Sequence, residues 1–273
     1  MKLFSKNSYL IILLCIINTR TVRSTNIAQL FDWNTYAIQD DCHDFEFLHH
    51  LINRDLDDDN WLNQEKIAVS LGYNCTVTNQ LLYEHVRIRA FPFDWCISSI
   101  TGIIKCINDN FNNFLSLENL SFFPETNWVH DAMYQISIPH DFPFQHPEEE
   151  LQAHFKSQFL DTSSIDIIRE QYNQVYEKFM RRIERFRKLK AYQGKLYFFR
   201  CGNITKKEAV ALFKALYKQF KKQDFVLVVI ESSDEFKKSW RLPQLKNFFI
   251  ENAIGRVFEK DLLTHIFKEV GLL

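Results

Sequence analysis

The chain has 273 residues, 46% hydrophobic and 25% charged, with a formal net charge of −1. That is enough apolar chain for a sizeable core in one domain or two. It leaves no basic excess, which excludes a nucleic-acid binder that works by neutralising phosphates.

Residues 1–24 read as a signal peptide: Lys2 and Lys6 make a basic start, Tyr9 to Ile17 is a short apolar run, and Ser24 follows at cleavage distance. The run is shorter than the roughly 20 residues of a membrane span. The expectation is an exported protein, with an uncleaved N-terminal anchor as the alternative. No later stretch is long and apolar enough to span a bilayer. Residues 25–64 form an acidic lead-in. Asp40, Asp41, His43, Asp44, His49 and His50 fit no metal cage, and Asp57-Asp58-Asp59 lacks the glycine and distal glutamate of a calcium loop. This segment is read as a solvated face, with a short helix around His43, Phe47, His50 and Leu51. Residues 65–273 are read as a single α/β domain.

The apolar run Ile67-Ala68-Val69 leads into Ser70-Leu71-Gly72-Tyr73-Asn74-Cys75, and Val77, Leu81, Leu82 and His85 follow at helical spacing. The pattern is strand, tight turn, helix, with a thiol at the helix start. Unpaired N–H groups and the helix dipole stabilise a thiolate there, lowering its pKa and making it a nucleophile. The alternative is a small, inert, buried cysteine.

Ala90 to Trp95 is an aromatic segment broken by Pro92. Ile97, Ile100, Ile103, Ile104 and Ile107 predict a helix that ends in Asn108–Asn113. Residues 119–127 read as a loop, 133–138 as a strand, and 148–159 as a helix. A long helix fits Ile165 to Leu189, with Ile168, Tyr172, Val175, Phe179, Ile183 and Phe186 on one face. Its basic last turns read as a solvated face that complements the dipole. Lys195 to Arg200 is a strand, Thr205 with Glu208 forms a capping box for a helix to about Phe220, and Phe225 to Ile230 is a buried strand. Strand, helix and strand with short links make a βαβ unit, hence parallel strands. A last helix covers roughly 259–271. The fold class is therefore α/β, with a mostly parallel sheet flanked by helices and a nucleophile-bearing strand–turn–helix.

Without the signal, Cys42, Cys75, Cys96, Cys106 and Cys201 remain. The number is odd, so at least one thiol is unpaired unless a bridge forms between chains. Disulfides among Cys42, Cys96, Cys106 and Cys201 would leave Cys75 free. No C-x-x-C spacing indicates zinc, and no cofactor is expected.

Four motifs in order carry a resemblance: Ser-Leu-Gly-x-x-Cys at 70–75, Pro-Phe-Asp-Trp at 92–95, His-Asp-Phe at 140–142 and Lys-x-x-Arg-Arg-x-x-Arg-Phe at 178–186. Together they resemble the family catalogued as putative papain-like cysteine peptidases, a domain of otherwise unknown function, over about residues 66–270. The resemblance implies Cys75 as nucleophile and His140 as general base. Backbone N–H groups around Cys75 would then hold the oxyanion. Asp94 or Asp141 would orient the imidazole; in an extended segment Asp141 points away from its neighbour, which favours Asp94. Asp94 capping the helix near Ile97 is its structural alternative. Trp95 is either core or a substrate platform. Arg181, Arg182 and Arg185 are candidates for an anionic substrate group. His130-Asp131 duplicates the His-Asp pair without the following Phe-Pro. The name also implies a papain-like α+β fold with an antiparallel sheet, the alternative to the α/β reading.

The leading expectation is a cysteine peptidase or related thiol hydrolase acting on an amide or thioester, its partner a peptide or small-molecule substrate. Two alternatives stand beside it. One is a transferase holding a phosphate or sugar nucleotide at the sheet edge with the Arg-rich helix, although no Gly-rich phosphate loop is present. The other is a non-catalytic binding module, which a Cys75–Cys96 disulfide would favour.

Overall fold

In the computed structural model, residues 59–123, 128–142, 163–256 and 259–273 are described. The signal-like segment, nearly all of the acidic lead-in with Cys42, and the predicted helix 148–159 lie outside them. The described residues all fall within one unit, Leu48–Leu273.

Thirteen regular elements are described. They are β1 (Lys66–Ser70), α1 (Thr76–Tyr83), β2 (Ile97–Ser98), α2 (Ile100–Asn108), β3 (Leu120–Phe123), β4 (Trp128–Asp131) and β5 (Ile136–Ile138), then α3 (Ser163–Lys188), β6 (Lys195–Cys201), α4 (Lys206–Phe220), β7 (Phe225–Glu231), β8 (Leu245–Phe249) and α5 (Thr264–Glu269). They build two four-stranded sheets. One has the order β1-β6-β7-β8 and is parallel throughout. The other has the order β2-β5-β4-β3 and is antiparallel.

The parallel sheet is built by the period-2 alternation of its strands. Ile67, Val69, Leu196, Phe198, Leu227 and Val229 enter one apolar cluster, together with α3, α4 and the antiparallel sheet. Their neighbours Ala68, Tyr197, Phe199, Val228 and Ile230 enter a second, with Val77 and Leu81 of α1 and Ile266 and Phe267 of α5. Every residue of β6 after Lys195 is buried, as a central strand covered on both faces must be.

The expected βαβ unit is present. Thr205 accepts from the N–H of Glu208, and the Glu208 carboxylate accepts from the N–H of Thr205. β6 and β7 pair in parallel. The long helix lies at Ser163–Lys188, and Ile168, Val175, Phe179, Ile183 and Phe186 are buried on one face.

A mostly parallel sheet is only half of what is present, because four strands form the antiparallel sheet. Its strands are two to four residues long, too short to show alternation. Ile97 belongs to β2, and the isoleucine helix begins at Ile100, capped by Ser99, whose Oγ accepts from Gly102 N at 3.0 Å. The predicted 119–127 loop contains β3, and the predicted 133–138 strand is shortened by a turn to Ile136–Ile138. β8 was not expected: its Leu-Lys-Asn-Phe-Phe sequence is that of a half-exposed edge. α5 spans only Thr264–Glu269. Gly102 lets α2 approach the turn before β5; a Cβ there would lie 1.7 Å from Tyr134 O. Among the described residues, no helix is long and apolar enough to cross a membrane.

Candidate active site

The chain leaves β1 at its carboxyl end and turns through two successive left-handed residues, Gly72 (φ +69°) and Tyr73 (φ +78°). A methyl on Gly72 would stand 2.5 Å from Ser98 Oγ and 3.3 Å from Phe93 O, so glycine is required by both conformation and space. Tyr73 N–H donates to Ser98 Oγ at 2.9 Å, and Leu71 N–H to Phe199 O at 2.8 Å. Asn74 Oδ1 accepts from Thr76 N–H at 3.0 Å, satisfying one orphan donor of α1. That contact engages the side chain of an Asn-x-Thr sequence. Cys75 occupies the N-cap position with φ −76° and ψ −7°. Among the described residues, the N–H groups of Asn74 and Cys75 have no hydrogen-bond partner.

His140 lies in a bend just after β5, and its Nε2 is 3.6 Å from Cys75 Sγ. The two residues are 65 positions apart, so the closure between the sheets makes the pair. Trp95 meets the imidazole edge to face, with centroids 6.3 Å apart and planes at 87°. Its backbone is left-handed at φ +65°, an outlier for a bulky residue and a mark of constraint. Half-buried, Trp95 is a wall of the histidine's surroundings rather than core.

The expected low-pKa thiol is not what this environment produces. Burial, reinforced by the Asp94 charge, pushes Cys75 up to about 11. Burial pushes His140 down, against the pull of Asp141 and with the help of Lys178. Burial thus favours the neutral form of both groups, thiol and imidazole, over a thiolate–imidazolium pair. Burial is the largest cause of the Cys75 shift, and it runs opposite to the lowering expected of a helix N-terminus.

Asp94 neither orients the imidazole nor caps a helix. Its carboxylate accepts from Arg87 Nη2 at 2.6 Å, Arg87 Nε at 3.0 Å, Phe91 N–H at 3.1 Å and Thr78 Oγ1 at 3.4 Å. It staples the aromatic turn to α1 as a buried ion-pair hub. Asp141 is buried in a bend, so the extended geometry that would turn it away does not apply. Lys178 Nζ reaches its Oδ1 at 2.7 Å and Arg182 Nη2 at 3.6 Å. Among the described residues, neither carboxylate hydrogen-bonds His140; Asp141 acts on the ring through charge.

The three arginines do not form one open anion site. Arg181 is exposed, whereas Arg182 and Arg185 are buried, contrary to a solvated basic face. His130 bonds Ser137 Oγ at 3.0 Å, and Asp131 accepts from Leu115 and Tyr134 N–H groups, so that pair serves the antiparallel sheet. Cys75, Cys96, Cys106 and Cys201 are all free thiols, which removes the Cys75–Cys96 bridge and pairings among the other described cysteines.

Sequence reasoning missed Tyr73, Ser98 and Arg200 as parts of this site. A charged residue ending the apolar run Leu196–Phe199 was the available signal for Arg200. A cleft of about 360 Å³ opens beside Tyr73, beyond the carboxyl ends of β6 and β7, lined by Asn203, Thr205, Glu208, Glu231 and Glu235 among others. Three carboxylates there make a poor wall for a phosphate or sugar nucleotide.

A family profile described as putative papain-like cysteine peptidase matches residues 66–234. The match begins at β1 and includes Cys75, Asp94, His140 and Arg200. No curated protein and no solved structure matches the chain.

Proposed function

Because the chain belongs to the family described as putative papain-like cysteine peptidases, we propose that it is a thiol hydrolase acting on an amide or thioester through Cys75 and His140. The observation that carries this reading is the 3.6 Å approach of Sγ to Nε2, which a small motion brings to proton-transfer distance.

The protonation state selects the mechanism. A neutral thiol beside a neutral imidazole reacts by general-base assistance rather than as a preformed ion pair. As sulfur attacks the substrate carbonyl carbon, Nε2 takes the thiol proton and the carbonyl π pair moves to oxygen. The Asn74 and Cys75 N–H groups are the donors available to that oxyanion. Collapse expels the amine or thiolate, which takes the proton from the imidazolium and leaves an acyl thioester on Cys75. Water then gives its proton to Nε2 and attacks the thioester. The departing sulfur recovers the proton, and the carboxylic acid is released.

The test is acyl transfer from a small activated ester, followed by mass spectrometry, in wild type, Cys75→Ser and His140→Ala. Wild type should acylate at Cys75 and then lose the acyl group by hydrolysis. His140→Ala should fall by about 100-fold, the usual scale of general-base assistance. A His140→Ala protein that acylates and turns over at the wild-type rate would remove the pair. Iodoacetamide supplies a substrate-independent measure: wild-type Cys75 should show a His140-dependent rate plateau at neutral pH, below the steep rise as the thiol itself ionises.

A further inference from the structure

Arg200 is fully buried at the carboxyl end of β6, and among the described residues it meets no carboxylate at ion-pair distance. Burying a guanidinium without a counter-ion is costly, so its contacts must account for its presence. Nη1 donates to Leu71 O at 3.0 Å and to Ser98 Oγ at 2.9 Å, and Nη2 donates to Ser98 O at 2.8 Å. The guanidinium also lies over the Tyr73 ring, 5.2 Å from its centroid.

All of these contacts converge on the turn that delivers Cys75. Ser98 Oγ, already accepting from Arg200, also accepts from Tyr73 N–H, and Ser98 N–H donates to Tyr73 O at 3.3 Å. Residues 71 and 73 are thus gripped through both carbonyls, one amide and one ring. The grip links β6 of the parallel sheet to β2 of the antiparallel sheet, and β2 pairs with β5, the strand that leads to His140. Gly72 takes its left-handed conformation freely, but Tyr73 at φ +78° does not do so by local preference; something outside the turn must hold it.

We propose that Arg200 is a positioning residue for the nucleophile: its guanidinium, through Ser98, locks the Leu71–Tyr73 turn and thereby sets the Cys75–His140 approach. The chemical consequence rests on the thiol-hydrolase reading above, whereas the lock itself does not. The planar fork makes the lock complete, since an ammonium cannot reach Leu71 O and both Ser98 oxygens together and would keep only part of these contacts.

Two measurements on full-length wild type, Arg200→Gln, Arg200→Lys and His140→Ala separate these parts. The first is amide hydrogen exchange over residues 70–76. Arg200→Gln should accelerate it by about ten-fold or more while β7 stays protected. The second is the pH–rate profile of Cys75 alkylation. In Arg200→Gln the neutral plateau should fall by about ten-fold or more, towards the His140→Ala profile. Arg200→Lys should recover part of it, and Arg200→Gln/His140→Ala should be no slower than His140→Ala alone.

Unchanged exchange in the turn, or a wild-type plateau in folded Arg200→Gln, overturns the proposal, because a merely structural residue lowers the melting temperature without altering that profile. If His140→Ala itself keeps the plateau, the Cys–His reading fails, and exchange alone decides for or against the lock. If Arg200→Gln does not fold, Ser98→Ala removes the shared Oγ acceptor and is read by the same two measurements.

Discussion

The indole of Trp95 and the imidazole of His140 meet at right angles, their planes at 87° and their centroids 6.3 Å apart. The contact shields the ring from water on that side, and burial is the largest cause of its lowered pKa. Trp95→Ala should admit water and move the His140 pKa up towards its ordinary value of 6.5. The acid limb of the alkylation profile requires neutral imidazole, so it should shift to higher pH. Imidazole proton shifts read by NMR titration check the same quantity; an unmoved or lowered pKa would contradict the shielding.

The Asp94 charge raises the Cys75 pKa, second only to burial. Asp94→Asn should therefore lower it below about 11, read from the ultraviolet absorbance of the thiolate against pH. The same change removes the carboxylate that faces buried Arg87 at 2.6 Å. Breaking a buried pair from one side costs about 3–5 kcal/mol, measurable by urea denaturation. Replacing Asp94 and Arg87 together with apolar residues should cost less than the single change.

Gly72→Ala should be worse than Gly271→Ala, although both glycines have positive φ. At Gly271 (φ +79°) an added methyl meets only Tyr197 Oη at 3.8 Å, whereas at Gly72 it strikes Ser98 Oγ at 2.5 Å. Conformational strain alone costs about 1 kcal/mol, and the Gly72 change should add roughly 1–2 kcal/mol more for the displaced neighbour. Equal denaturation midpoints for the two variants would refute the steric assignment.

Acid stability should depend on Asp141. Burial alone would raise its pKa, but Arg182 and Lys178 outweigh burial and hold it below 3.8. The folded chain then binds this proton less tightly than the unfolded chain. Its stabilisation is complete above about pH 5, well above the unfolded value, and is lost as pH falls through the folded value. Asp141→Asn should lose stability at neutral pH and flatten the acid limb below about pH 5, followed by denaturation midpoints from neutral pH downward.

How much of this was legible in the sequence varies by element. The unit from Lys66 to Tyr83, with Cys75 at the helix start, could be read because an apolar run, a glycine turn and a 3.6-residue period all act locally. Thr205 and Glu208 announced their helix start for the same reason, as did the apolar stripe from Ile168 to Phe186. The antiparallel strands could not be read this way. Two to four residues carry no period, and Ile97 satisfied a helical spacing while its pairing with Ser137 placed it in a sheet.

The site divides along the same line. The nucleophile candidate and its histidine were named from motifs, but the partner of Asp94, the burial of Arg182 and Arg185 and the role of Arg200 were not. By itself, the sequence determined the local conformations, because adjacent residues write them through sterics, capping and periodicity. Only the tertiary structure decided that Sγ and Nε2 meet, that burial disfavours the charge on either, and that a guanidinium distant in sequence grips the turn. Proximity across the chain and exclusion of water arise from packing between elements, which no short stretch encodes.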